Sequence, residues 1–201
     1  MLELVPIVSY LALRGRCRHC GARVPLRVLI VEILTAVAFG LLWLWLAPGL
    51  RLLLATLYVS FLIVVAFIDL EHRLVLNRLV YPAIVMAFPS SLLYGLTVQD
   101  SLLGGAAGFG AMFALYALTR GGIGAGDVKL ATFVGLAAGF PEVVVALFVA
   151  SSFGGVVATV LLLTGLKGRR DPIPYAPFIA LGGVIGLVAG QPIIQWYLSF
   201  F

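Results

Sequence analysis

The chain has 201 residues, 63% of them hydrophobic and 10% charged, with a formal net charge of +5. A soluble domain carries about 25% charged residues, so there is too little polar surface here to coat a water-soluble globule, and lipid must cover most of it. The positive balance does not point to nucleic acid, because the basic residues sit in short loops between apolar runs. Met1 to Leu13 lacks the basic region and small-residue cleavage site of a secretory signal. Cys17 and Cys20, the only cysteines, lie in a basic stretch expected in the cytoplasm, where a disulfide is not expected.

A membrane-spanning helix needs roughly 20 apolar residues. In chain order the candidates are Val28 to Ala47, which holds one acid, Glu32, then Leu52 to Ile68, Leu79 to Val98, Ser101 to Thr119, Val143 to Leu166 and Tyr175 to Leu198. Between the fourth and fifth of these lies Val128 to Phe140. At about 1.5 Å per residue this run covers roughly 20 Å, short of a ~30 Å hydrocarbon core. Charge settles whether it crosses. With Arg14 to Arg27 cytoplasmic and every run crossing, all 13 basic residues except Arg51 fall on the cytoplasmic side, as the positive-inside rule requires. Without that crossing, Lys167, Arg169 and Arg170 would fall outside. The expected fold is therefore all-α, a polytopic transmembrane helix bundle of about seven spans. Residues 1–27 form a short cytoplasmic N-terminal segment and residues 28–201 the membrane domain. Trp43, Trp45, Trp196 and Tyr197 then sit at the outer interface, which such rings favour. Gly104 and Gly108, Gly110 and Ala114, and Gly154 and Ala158 are spaced four apart, as in helices that approach closely in lipid. Pro82, Pro89, Pro141 and Pro177 mark helix starts, kinks or ends.

Only eight acidic residues occur, which makes their placement informative. Asp69 closes the second run and Asp127 opens the short one, so both fall at one membrane depth on the cytoplasmic side. Ionisable groups at that depth mark functional sites by default. Two carboxyls in proximity cannot both ionise easily, and a pair sharing one proton can activate water and protonate a leaving amine. A helix start favours the anion of Asp127 and a helix end disfavours that of Asp69, so the shared proton is expected on Asp69. A purely structural account also exists: Asp69 ties a loop to Arg73, and Asp127 caps a helix beside Lys129. Two other classes compete with hydrolysis. A small proton- or cation-coupled transporter would need further polar residues near mid-bilayer, where Glu32 is the main exception. An assembly scaffold would use the acids only to fix topology. Glu71 and Asp171 read as solvated loop acids.

Asp127 lies in the glycine-rich segment Gly122-Ile123-Gly124-Ala125-Gly126-Asp127-Val128-Lys129-Leu130. Its spacing is not a dinucleotide fingerprint, and no strand precedes it. Gly124 to Leu130 resembles the GxGD motif of the type IV prepilin leader peptidases, which are membrane aspartyl proteases. The segment Phe67 to Asn77 is similar to that family's first-aspartate motif, with Leu76 where the family usually has proline. Val5 to Tyr10, Leu13 to Gly21 and Pro174 to Ala180 also resemble family segments, in the same order.

The resemblance implies that Asp69 and Asp127 are the catalytic pair, in a peptidase domain over 28–201. Gly124, Gly126, Lys129, Arg73 and Asn77 are expected to bind substrate. That substrate would be a prepilin or pseudopilin whose short basic leader is removed at the cytoplasmic face of the bacterial inner membrane, with anionic lipid helping to hold the leader. Family members usually begin with a further helix and an earlier Cys-x-x-Cys; this chain reads as a shortened member. Cys17 and Cys20 are then half of a zinc knuckle. A structural zinc takes four ligands, and with only His19 and His72 to add, tightly bound zinc is not expected. N-methylation with S-adenosylmethionine is not expected either, and proteolysis itself needs no cofactor.

Overall fold

The computed structural model describes residues 6–119, 122–168 and 173–201. Val5, Arg120, Arg169, Arg170 and Asp171, which figure in the sequence reading, lie outside these ranges. The described residues are helical, with one isolated β-bridge, Arg16 to Arg23. The helices are α1 (Pro6–Ala12), α2 (Leu26–Trp45), α3 (Leu50–His72), α4 (Asn77–Tyr94), α5 (Val98–Thr119), α6 (Ala125–Ala138), α7 (Glu142–Leu163) and α8 (Ala176–Leu198). The seven helices from α2 onward match the expected runs, and α2, α3, α5, α7 and α8 are each long and apolar enough to cross a membrane. The chain is a polytopic helical membrane protein of about seven spans.

Two compact units divide it, Met1–Ala47 and Pro48–Phe201. In the first, the chain leaves α1 through Gly15, at φ +67°, and folds back so that Val24 N–H donates to the Gly15 carbonyl (2.8 Å). The Tyr10 hydroxyl donates to the Val24 carbonyl (3.2 Å) and fastens the base of this hairpin. Cys17 and Cys20 occupy its tip, closed by Gly21 at φ +68°, whose N–H donates to the Cys17 carbonyl (2.9 Å).

In the second unit α6 is the central element. Ten of its 14 residues are buried, which explains why its apolar residues show no one-sided pattern: a helix surrounded by others is apolar all round. Phe133 packs edge-on to Tyr58 and against Phe61 of α3. Its shortness leaves the last carbonyls of α6 without intrahelical partners, and at membrane depth such groups must be satisfied by protein. The buried Ser101 of α5 does this, donating to the Leu136 carbonyl (2.9 Å), with Ser91 of α4 behind it at 2.8 Å. One turn on, Phe140 N–H donates to the Asp100 carbonyl (3.0 Å). Ser101→Ala should therefore cost about 1–3 kcal/mol, the penalty for an unpaired buried carbonyl. Thermal unfolding in detergent micelles measures it.

Glycines set the helix spacing. A Cβ on Gly104 or Gly108 of α5 would fall on the carbonyl oxygens of Gly135 and Ala131 of α6. On α8, Gly182 lies against the Ala146 carbonyl of α7, and Gly186 and Gly190 lie against Glu142. The expected pair Gly110 and Ala114 does not pack this way: both are exposed, and a Cβ on Gly110 would meet nothing within 4 Å. Gly154 makes room for the rings of Tyr175 and Phe178, not for another helix backbone.

Candidate active site

Asp69 lies inside the last turn of α3, which continues to His72. The helix stops where Arg73 takes a left-handed conformation (φ +53°), its N–H donating to the Asp69 carbonyl (2.8 Å). Asp127 stands in the first turn of α6 in a reciprocal cap. Its N–H donates to the Gly124 carbonyl, and its Oδ2 accepts the Gly124 N–H, both at 3.0 Å. Both side chains are buried, 5% and 6% exposed, yet both line one cavity of about 390 Å³ that Arg73, Val75, Asn77, Lys129 and Tyr175 also border.

Asp69 Oδ2 accepts the N–H of Ala176, the first residue of α8, at 3.1 Å. Each aspartate thus receives one backbone N–H from a helix start, and the ground for placing the shared proton on Asp69 disappears: α8 supplies to Asp69 what α6 supplies to Asp127. In each, Oδ2 is used on the backbone. Among the described residues no fully buried side-chain oxygen lacks a partner, so each Oδ1, which has none, reaches accessible space. Each carboxyl is thus anchored through one oxygen at the wall of the same cavity.

The flanking glycines have steric reasons. A Cβ on Gly126 would lie 2.5 Å from Cβ of Val75, in the loop between α3 and α4. Only glycine lets that loop close beside Asp127. A Cβ on Gly124 would lie 3.3 Å from Asp127 Oδ2, crowding the cap. Lys129 Nζ donates to Asn77 Oδ1 (2.8 Å) and lies 4.8 Å from the centre of the Tyr81 ring, a cation over an aromatic face. Lys129 and Asn77, both expected to bind substrate, therefore hold each other and join the start of α6 to the start of α4.

Tyr175 was absent from the expected site residues. It precedes α8, its ring lies against Gly154 and beside Phe178, and it borders the same cavity as the two aspartates. The signal available in the sequence was the segment Pro174 to Ala180, read only as part of a resemblance.

Cys17 and His19 border a separate cavity of about 320 Å³ within the first unit. Among the described residues no group of three or more His, Cys, Asp or Glu is arranged to hold a metal ion. Cys17 and Cys20 supply two of the four ligands that a structural zinc takes.

Known proteins resemble this chain in sequence over nearly its whole length. The family model described as "Type IV leader peptidase family" matches residues 56–159, and that of the "Bacterial Peptidase A24 N-terminal domain" matches residues 1–46. A prepilin leader peptidase/N-methyltransferase of Bacillus subtilis (strain 168) is 33% identical over 198 residues, covering 98% of this chain and 80% of that protein. The protein of the same name from Aeromonas hydrophila is 35% identical over 206 residues, covering 100% and 71%. That from Neisseria gonorrhoeae is 32% identical over 209 residues, covering 97% and 70%. No solved structure gives a significant match. With both models and nearly its whole length matched in this way, the chain belongs to the type IV leader peptidase family.

Proposed function

We propose that the chain is a membrane aspartyl endopeptidase that removes the short basic leader from type IV prepilins or pseudopilins at the cytoplasmic face of the bacterial inner membrane. Residues 1–27 would lie on that face, with the peptidase within 28–201. The observation that carries the reading is the pair of buried carboxyls, Asp69 and Asp127, bordering one cavity. The relatives' name supplies the substrate class. It also includes N-methyltransferase activity, and the reading for this chain is confined to proteolysis, without zinc or S-adenosylmethionine.

In the mechanism, one carboxyl of the pair is ionised and the other protonated. Water held between the two Oδ1 atoms loses a proton to the anionic partner as its oxygen attacks the scissile carbonyl. The protonated partner donates to that carbonyl oxygen. Collapse of the tetrahedral intermediate breaks the C–N bond, the amine leaving with a proton from the pair, and no covalent adduct forms with the enzyme. The apolar helix that follows the scissile bond in such a substrate would partition into lipid. This places the bond at the depth expected for Asp69 and Asp127.

The direct test incubates the purified protein in lipid vesicles with a prepilin and follows the released leader by mass. A leader left attached overturns the reading. A second expectation concerns Lys129. Lys129→Met and Asn77→Ala should each lower kcat/KM about threefold to tenfold, the effect of losing a charge-assisted hydrogen bond. The double variant should be no slower than either. If Lys129 instead binds substrate directly, Asn77→Ala leaves the rate unchanged.

A further inference from the structure

We infer that the N-terminal hairpin is a seat for the phosphate of an anionic phospholipid, held between the guanidinium groups of Arg16 and Arg23 at the leaflet where α2 begins. The hairpin backbone decides which side chains meet. Cys17 N–H donates to the Ala22 carbonyl and Val24 N–H to the Gly15 carbonyl, both at 2.8 Å. These two bonds flank Arg16 and Arg23, which stand opposite each other across the antiparallel ribbon. No backbone hydrogen bond joins the two arginines themselves. In a pair of that kind the Cα atoms approach to about 4.5 Å and the side chains come closest. Both side chains therefore leave the same face of the ribbon.

Like charges so placed repel each other, and the surrounding chain does little to offset them. Five arginines and no acid lie between Pro6 and Val31. Glu32, in the second turn of α2, borders a cavity of about 320 Å³ that Arg16 and Arg18 also border. Yet among the described residues neither Arg16 nor Arg23 has a side-chain hydrogen bond or an ion pair. Two guanidinium groups on one face, without an acid of their own, fit an external anion. Phosphate is the anion whose oxygens match such planar forks two at a time.

The place of the pair in the chain selects a lipid as the source of that phosphate. α2 starts at Leu26, three residues after Arg23, and is long and apolar enough to cross a membrane. Three residues reach at most about 10 Å, so the pair stands at the headgroup layer. α1, tied to the hairpin through Tyr10, adds an apolar contact. Its Val8 and Leu11, three apart on one face, are both exposed. Basic groups beside exposed apolar side chains are the pattern of a segment that lies on an anionic membrane surface.

The test uses the full-length protein in lipid nanodiscs, which leave both membrane faces open. Cys17 and Cys20 are its only thiols, and Cys20 is exposed at the hairpin tip. Labelling by an uncharged polyethylene-glycol maleimide should slow about tenfold when phosphatidylglycerol replaces half of the phosphatidylcholine, as the two seated arginines hold the hairpin against the leaflet. The double variant Arg16→Gln/Arg23→Gln should label at one rate in both kinds of disc. Its hairpin survives because the bonds that close it are main-chain. Arg14→Gln/Arg27→Gln removes the same charge from outside the pair and should keep most of the slowing. A wild-type rate indifferent to phosphatidylglycerol overturns the inference. So do two double variants that lose the response equally, which is the behaviour of a diffuse basic surface. Millimolar inorganic phosphate should leave the rate in phosphatidylcholine discs unchanged; if it protects the thiols as phosphatidylglycerol does, the occupant is soluble and the lipid assignment fails. Native mass spectrometry reads the site without the thiols. Wild-type protein released from mixed discs should carry more phosphatidylglycerol than Arg16→Gln/Arg23→Gln, and equal retention overturns the inference. Each of these outcomes is independent of leader removal, which is measured separately.

Discussion

Asp69→Asn and Asp127→Asn should each abolish leader removal, lowering kcat/KM by at least about a thousandfold, while the protein still folds in the membrane. Asparagine has the shape of aspartate and keeps a side-chain oxygen. That oxygen can still accept the Ala176 N–H at position 69 or the Gly124 N–H at position 127, so the helix contacts survive. What is lost is a group that can take up and release a proton. Because the pair acts as one unit, the double variant should be no slower than either single one. Glutamate keeps the acid but lengthens the side chain by one methylene, and a displacement of about 1 Å can cost on the order of a hundredfold. Asp127→Glu should therefore retain more activity than Asp127→Asn and far less than wild type. The measurement is release of leader from a prepilin in vesicles, followed by mass. Either asparagine variant cleaving at more than a tenth of the wild-type rate would rule out hydrolysis by the pair.

Asp69 and Asp127 were legible in the sequence because an acid at the edge of an apolar run is costly and needs a reason. The short α6 was legible as a crossing from charge, since Lys167, Arg169 and Arg170 fall on the wrong side without it. Partners were not legible. In lipid the faces of a helix that meet protein and those that meet acyl chains are equally apolar, so hydropathy does not separate them. Gly104 and Gly110 look alike in sequence; one touches the Gly135 backbone and the other meets nothing. The glycines at 182, 186 and 190 share the same spacing on α8, and each of them lies against α7. For the same reason the hydrogen bond from Ala176 to Asp69 escaped: it joins positions far apart in the chain, through a backbone group that every residue possesses. The reach of Lys129 to Asn77 likewise depends on α4 and α6 starting side by side, which no local pattern encodes.

The second large effect is expected at that α5–α6 contact. Gly135→Val should cost about 3 kcal/mol or more and lower leader removal at least about a hundredfold. A Cβ at 135 would fall on the Gly104 carbonyl, and one at 104 on the Gly135 carbonyl. Both obstacles are backbone, so no side chain can swing aside. Overpacking alone costs roughly 1–3 kcal/mol. Separating the helices would also strain the bonds from Ser101 to Leu136 and from Phe140 to Asp100 on the next turn, each worth about 1 kcal/mol net. Activity follows because α6 is the helix that carries Asp127, and a shift of about 1 Å in a reacting group suffices for the stated loss. Gly110→Val is the matched control on the same α5: its Cβ enters open space, so its stability should stay within about 0.5 kcal/mol of wild type. Thermal unfolding in detergent micelles and leader release in vesicles read the two quantities separately. Equal stability and activity for Gly135→Val and Gly110→Val would refute the close approach of α5 to α6, and with it the positioning of Asp127 by that contact.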